Sequence, residues 1–380
     1  MSSYKKVWRV GILHDTSKPG LGGHLTHLAF TGLPQVEIVG LVDSNYDGIE
    51  ARMLEIGAVR HYGSLDALLD DGPIDILVIC SRLPGEHSEP LRVAVERGIH
   101  VYCEKPLCAG LDEVDHIVEQ AEERGVCIAV AHLGRYANVF QTARGMIGNG
   151  DIGRVVSFYG RGKEDHRGGG EDMLVLGTHI LDLGCYLLGA PRSVFADITF
   201  EGKPIKAGQC LETAEPIGPV AGDEVLAMYQ FSNSVRGWFE SRRGMTERGV
   251  RMGITIVGTT GTLAVRFDEE RKLRLSRSAF PPEDEACFED VPLLDETVIP
   301  GASPLEFGSY KGHQHYFIRN NRRAAWDLIC ALKEGREPLA SVRDAQVVLE
   351  MIYGAYASQL TGSRVSFPLC ERRHPLEIVA

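Results

Sequence analysis

The chain has 380 residues, 44% hydrophobic and 24% charged, which is enough for two domains with ordinary cores and too apolar for a disordered or fibrous protein. Lys and Arg total 40 against 52 Asp and Glu, a net charge of −12 with no basic stripe, so neither nucleic acid nor an anionic membrane is an expected partner. The longest apolar runs are strand-sized, the N-terminus has no leader-like apolar core, and the nine cysteines lack paired spacing; the expectation is a cytoplasmic chain with reduced thiols and no metal site.

In chain order, five continuously apolar runs read as strands: Trp8 to Leu13, Glu37 to Val42, Ile74 to Ile79, His100 to Cys103 and Cys127 to Ala131. Helix-like stretches separate them. The pattern is that of a parallel sheet covered on both faces. The clearest helix has Leu111, Val114, Ile117, Val118 and Ala121 on one face and ends at Gly125. Beyond residue 133 a helix at Phe140 to Ile147 precedes strands of more alternating character. These are Val155 to Tyr159, Val194 to Phe200, Glu224 to Phe231, Val235 to Ser241, Met252 to Val257 and Thr262 to Phe267. They read as a mostly antiparallel sheet with helices on one side. Pro281 to Asp290 reads as a solvated acidic loop, helices follow at Arg322 to Leu332 and Ser341 to Leu360, and a last strand at Arg364 to Phe367. The boundary falls between domains 1–133 and 134–380. The open face of the second sheet exposes more apolar surface than a monomer tolerates, so a homodimer or homotetramer is expected.

Asp43 ends the second strand, where a carboxylate can accept hydrogen bonds from both hydroxyls of an adenosine ribose; a plain turn cap is the alternative. Ser44 and Asn45 follow it with no basic residue, which favours NAD over NADP. The turn after the first strand lacks the usual glycine fingerprint. His14 stands where its first glycine belongs, and Gly20, Gly22 and Gly23 come several residues late, still able to open a helix toward a pyrophosphate. His24 and His27 read as helix-start polar residues rather than metal ligands. Glu104, Lys105 and Pro106 directly follow a buried strand at the sheet's carboxyl edge, where a lysine can polarise or protonate a substrate oxygen. By composition alone it is a surface lysine.

The order of these features resembles the Gfo/Idh/MocA oxidoreductase family. The resemblance is carried by Glu104, Lys105 and Pro106, by Gly177, His179 and Asp182, and by Asp43. Further support comes from the Ser81 to His87 segment, from Gly150 to Val155, from Gly258 and Gly261, and from Ser341 to Ser358. It implies an α/β Rossmann-type parallel-sheet domain followed by an α+β domain with a large, mostly antiparallel open sheet. It also implies an NAD-dependent dehydrogenase acting on a hydroxyl of a sugar, cyclitol or glycoside. Gly22, Gly23, Asp43, Ser81, Arg82, His87, Glu104 and Lys105 would then face the cofactor. Lys105, Arg135, Tyr136, Arg167, His179 and Asp182 would face the substrate, with Lys105 and His179 as the catalytic pair. Arg161, Lys163 and His166 lie in the same substrate-side segments, and three successive glycines, Gly168 to Gly170, let the backbone approach a ligand closely.

Where the family carries an Asp four residues before the histidine this chain has Val175, so Asp172 or Glu171 is expected to substitute. His313 and His315 alternate in sequence and are expected on one side, as a polar wall. Two rivals stand beside the dehydrogenase: an NAD-assisted glycoside-cleaving or epimerising enzyme that recycles its cofactor, and a non-catalytic NAD-binding sensor.

Overall fold

The computed structural model describes residues 6–18, 24–246, 252–268, 270–278, 285–304 and 308–378. By contact the chain forms two compact units, one of residues 1–109, 113–136 and 297–343, the other of residues 110–112, 137–296 and 344–380.

In the first unit β1 (Trp8–Leu13), β2 (Val36–Val42), β3 (His61–Tyr62), β4 (Ile76–Ile79), β5 (His100–Cys103) and β6 (Ile128–Val130) form one sheet in the order β3-β2-β1-β4-β5-β6. Every pairing is parallel. The helices are α1 (Ile49–Ile56), α2 (Leu65–Asp71), α3 (Ser88–Glu96) and α4 (Leu111–Arg124). The runs Val10 and Ile12, then Ile76 to Ile79, are buried because helices cover both faces, and α4 contributes the buried Val114, Ile117, Val118 and Ala121. Strand order reverses between β1 and β4, and a reversal of this kind opens a ligand crevice at the carboxyl ends of the strands. The two-residue edge strand β3 is an addition to the five expected strands; it is too short to leave an apolar run in the sequence.

The second unit holds α5 (Asn138–Asn149), β7 (Val155–Arg161), α6 (Gly170–Val175), α7 (Gly177–Leu188), β8 (Ser193–Phe200), β9 (Lys203–Pro204), β10 (Glu224–Gln230) and β11 (Arg236–Arg242). Its later strands are β12 (Gly253–Gly258), β13 (Thr262–Arg266), β14 (Leu273–Ser276), β15 (Glu289–Asp290) and β16 (Val365–Ser366). The sheet order is β15-β14-β13-β12-β7-β11-β10-β8-β16, with β9 on β8, and β7 with β11 is its parallel pair. Alternation is visible along β10, where Val225, Ala227 and Tyr229 are buried and Glu224 and Leu226 are exposed. Helices α6 and α7 pack on the covered face. Part of the expected acidic loop is ordered differently: Glu289–Asp290 pairs with β14 as an edge strand, while 281–284 lie outside the described residues.

Helix α8 (His313–Glu334) starts nine residues before the expected Arg322 and belongs to the first unit. The buried Asn321 fixes it there, donating from Nδ2 to the His24 carbonyl at 2.6 Å and accepting the Tyr102 hydroxyl at Oδ1 at 2.6 Å. His313 and His315 are therefore helical. Residues two apart on a helix diverge, so they do not share a side as the alternating reading expects; His315 Nε2 lies 2.6 Å from the Tyr310 carbonyl oxygen. Helix α9 (Val342–Thr361) runs into the second unit, where Ser358 and Gln359 accept the β8 amides of Ala196 and Ile198.

Candidate active site

At the carboxyl ends of the parallel strands the first unit gathers His14, Asp43, Ser81, Glu104 and Lys105. Asp43, fully buried, follows β2. Its Oδ1 accepts the Thr16 amide at 3.0 Å and the Asn45 amide at 2.9 Å, its Oδ2 accepts the Thr16 hydroxyl at 2.8 Å, and Arg52 Nε stands 2.9 Å from Oδ2 as an ion pair. Beside it, Asp15 accepts the hydroxyls of Ser17 at 2.7 Å and Ser44 at 2.8 Å. Burial pushes the Asp15 carboxyl up, and these hydrogen bonds outweigh it, holding it below the usual carboxylate range.

His14 stacks on His27 with ring centroids 4.2 Å apart. Burial first, then the neighbouring His27, lowers the His14 pKa to about 3; burial lowers that of His27 to about 4. His14 Nδ1 is buried at the end of β1 without a hydrogen-bond partner. An orphaned ring nitrogen at this edge, with the acceptor Asp43 and the donor Lys105 along it, is a set of polar groups that fits a dinucleotide on the sheet. Gly20, Gly22 and Gly23 lie outside the described residues.

Lys105 and Glu104 are buried directly after β5. Glu104 Oε2 accepts the Lys105 amide at 2.6 Å, and Oε1 pairs with His24 Nδ1. Burial raises the Glu104 pKa, but His24 and then Lys105 overcome it, so the carboxylate is held below its ordinary value. The Lys105–Pro106 peptide is cis. His87 faces inward, its Nδ1 2.8 Å from the Leu107 carbonyl oxygen and its Nε2 2.6 Å from that of Ser81, so it ties the loop after β4 to the loop after β5. The Ser81 hydroxyl donates to Glu86, and Arg82 is half-buried in the same loop.

Arg135 and Tyr136 turn into the first unit. Arg135 Nη1 donates to the Leu339 carbonyl at 2.9 Å, and the Tyr136 hydroxyl donates to Asp327 at 3.1 Å while accepting the Ala340 amide at 3.1 Å. Their polar atoms brace the chain after α8.

In the second unit His179 sits in the first turn of α7, half-buried; from Glu171 to Gly184 only Leu176 and His179 are not buried. Asp182, one turn on, is buried. Asp172 is fully buried, with Oδ2 accepting the Ser241 hydroxyl and the Glu164 amide at 3.0 Å and Oδ1 left without a partner. Burial raises its pKa, as it raises that of Glu171, whose Oε1 accepts the Ala214 amide at 3.0 Å. Arg167 is committed within its own unit, reaching Asp165 Oδ2 at 2.7 Å and Glu215 at 3.0 Å. Arg161 pairs with Glu164 at 3.0 Å and Glu240 at 2.6 Å, Lys163 lies 3.3 Å from Asp165, and His166 is exposed. The triple glycine meets the chain itself: a Cβ at Gly168 would lie 2.3 Å from the Arg242 carbonyl oxygen, one at Gly169 2.4 Å from that of Gly222, and one at Gly170 2.2 Å from that of Ala221.

Sequence reasoning overlooked Thr16, Ser241 and the His24–Glu104 pair. For His24 the signal was the glycine run before it; a lone hydroxyl gives none.

A parallel sheet whose strand order reverses at β1 and β4, with an acidic residue after β2, is the arrangement of a dinucleotide-binding domain of the Rossmann type. Residues 20–132 match the model of the oxidoreductase family with an NAD-binding Rossmann fold, and residues 140–264 match the GFO/IDH/MocA C-terminal domain. The chain belongs to the Gfo/Idh/MocA oxidoreductase family.

Among its relatives, D-xylose 1-dehydrogenase (NADP(+)) 2 of Haloferax volcanii is 33% identical over 38% of this chain and 47% of its own length. Levoglucosan dehydrogenase of Pseudarthrobacter phenanthrenivorans is 26% identical over 55% of this chain and 60% of its own length. The chain thus spans about half the length of these curated relatives. Myo-inositol 2-dehydrogenase of Thermotoga maritima matches more broadly, 26% identical over 84% of this chain and 88% of its own. A solved levoglucosan dehydrogenase in complex with NADH and levoglucosan shares the fold, with a TM-score of 0.72 and 22% identity over 95% of this chain and all of the other. Among the described residues no helix is long and apolar enough to cross a membrane.

Proposed function

We propose that the protein is an NAD-dependent dehydrogenase that oxidises a secondary hydroxyl of a sugar, cyclitol or glycoside. The observation that carries this reading is Lys105, buried beside the ionised Glu104 at the carboxyl edge of an NAD-binding sheet, in a family whose named relatives act on xylose, inositol and levoglucosan. NAD, when bound, supplies the acceptor for the hydride that leaves the substrate carbon.

The family resemblance assigns His179 as the base that takes a hydroxyl proton on a ring nitrogen and Lys105 as the group that stabilises negative charge as a carbonyl forms. Asp172, whose protonation burial favours, assists this proton transfer in place of the carboxylate missing at Val175. NAD is favoured over NADP because a buried carboxylate at Asp43 repels a 2′-phosphate. Arg135, Tyr136 and Arg167 are engaged with partners inside their own units, the Leu339 carbonyl, Asp327 and the Ala340 amide, and Asp165 with Glu215.

Free thiols at all nine cysteines support a reducing, cytoplasmic setting. Self-association is proposed through the open face of the large sheet. The test of the catalytic assignment is direct: Lys105→Ala and His179→Ala should each lower turnover by at least about a hundredfold while NAD affinity stays within about threefold. Turnover that survives both substitutions overturns it.

A further inference from the structure

Asp43, fully buried, is held by the chain itself on both carboxylate oxygens. Of the roughly four acceptor positions of a carboxylate, Asp43 gives three to the Thr16 amide at 3.0 Å, the Asn45 amide at 2.9 Å and the Thr16 hydroxyl at 2.8 Å, while Arg52 Nε lies 2.9 Å from Oδ2 as an ion pair. Two of these donors are main-chain amides. Arg52 is held further by the carbonyls of Asp47 and Asn45. The Thr16 hydroxyl differs, because it turns on a single side-chain bond. It also accepts from Asn45 Nδ2 at 3.1 Å, so its one proton is directed at Asp43.

We infer that Thr16 is a specificity-determining residue: its hydroxyl latches Oδ2 of Asp43, and a ribose hydroxyl of NAD must displace it to bind. The inference rests on the proposed cofactor reading. A ribose hydroxyl and the threonine hydroxyl are chemically equivalent donors, so one replaces the other and the latch takes its toll on NAD affinity. NADP keeps only the 3′-hydroxyl of that ribose and its 2′-phosphate is repelled by the carboxylate, so NADP gains less than NAD from displacing the latch. Thr16 therefore narrows the preference for NAD over NADP. The turn that carries it is set by Asp15, which holds Ser17 and Ser44, so the latch belongs to the altered segment that replaces the glycine fingerprint.

Calorimetric titration of the full chain with NAD and with NADP tests this without any substrate. Thr16→Val, and Thr16→Ala as a second variant, should bind NAD about tenfold more tightly, the scale of one hydrogen bond to a charged group. NADP affinity should change by less than about twofold, and Thr16→Ser, which keeps the hydroxyl, should match the wild type. NAD affinity that is unchanged or weaker in Thr16→Val and Thr16→Ala overturns the latch, as does an equal gain for NADP. Wild type and variants that all fail to bind NAD would remove the cofactor reading itself.

Discussion

His27 and Asp172 are single buried groups whose ionisation has consequences that can be measured. Burial holds the His27 pKa at about 4, below its value in an unfolded chain. Between those values the unfolded chain binds a proton that the native one does not, so stability is fully present above about pH 6.5 and is lost as the pH falls toward 4. By pH 5 the loss from this residue should be about 1 to 2 kcal/mol. Chemical denaturation at pH 7 and pH 5 checks it: His27→Gln should flatten the pH dependence, and an equal slope in variant and wild type would refute it. For Asp172→Asn, turnover should fall at least about tenfold with NAD affinity within about threefold. A silent substitution would leave Asp172 as no more than an anchor for Ser241 and the Glu164 amide. Lys105 and Asp43 were legible in the sequence because each sits at the end of a strand that its own apolar run defines. Thr16 and Ser241 were not, because their roles depend on carboxylates 27 and 69 residues away.

Individual elements show where periodicity suffices. The parallel strands and α4 follow from continuous or 3.6-spaced apolar residues, and their ranges agree with the structure to within a few residues. The start of α8 was not legible, because its first turns carry His, Gln, Tyr and Arg rather than an apolar stripe. Its attachment through Asn321 to Tyr102 joins residues 219 apart, which no local pattern reports. The Gly168 to Gly170 turn was legible as a close approach, but its partner is the chain's own backbone. Gly169 has a φ of +90° and no space for a Cβ, so Gly169→Ala should destabilise the protein by about 2 kcal/mol or more. A thermal melt within about a degree of the wild type would show that the turn yields.

For the whole molecule, the exposed side of the large sheet is the feature with a consequence for assembly. Phe195, Met228, Trp238 and Tyr159 are in register across β8, β10, β11 and β7. Phe195 is 43% and Tyr159 42% exposed, and the Tyr159 and Trp238 rings stack at 4.9 Å. An apolar row of this kind favours a two-fold contact between copies. Light scattering should report a dimer or tetramer at micromolar concentration, and Trp238→Glu, by burying a charge there, should shift it to the monomer. A wild type with the mass of one chain removes the proposal.

The dehydrogenase reading itself meets its most direct test in NADH formation by the wild-type protein incubated with NAD and a panel of aldoses, inositols and anhydrosugars. At least one of them should drive NADH accumulation in proportion to enzyme. An enzyme that binds NAD yet yields no NADH with any of them would contradict it.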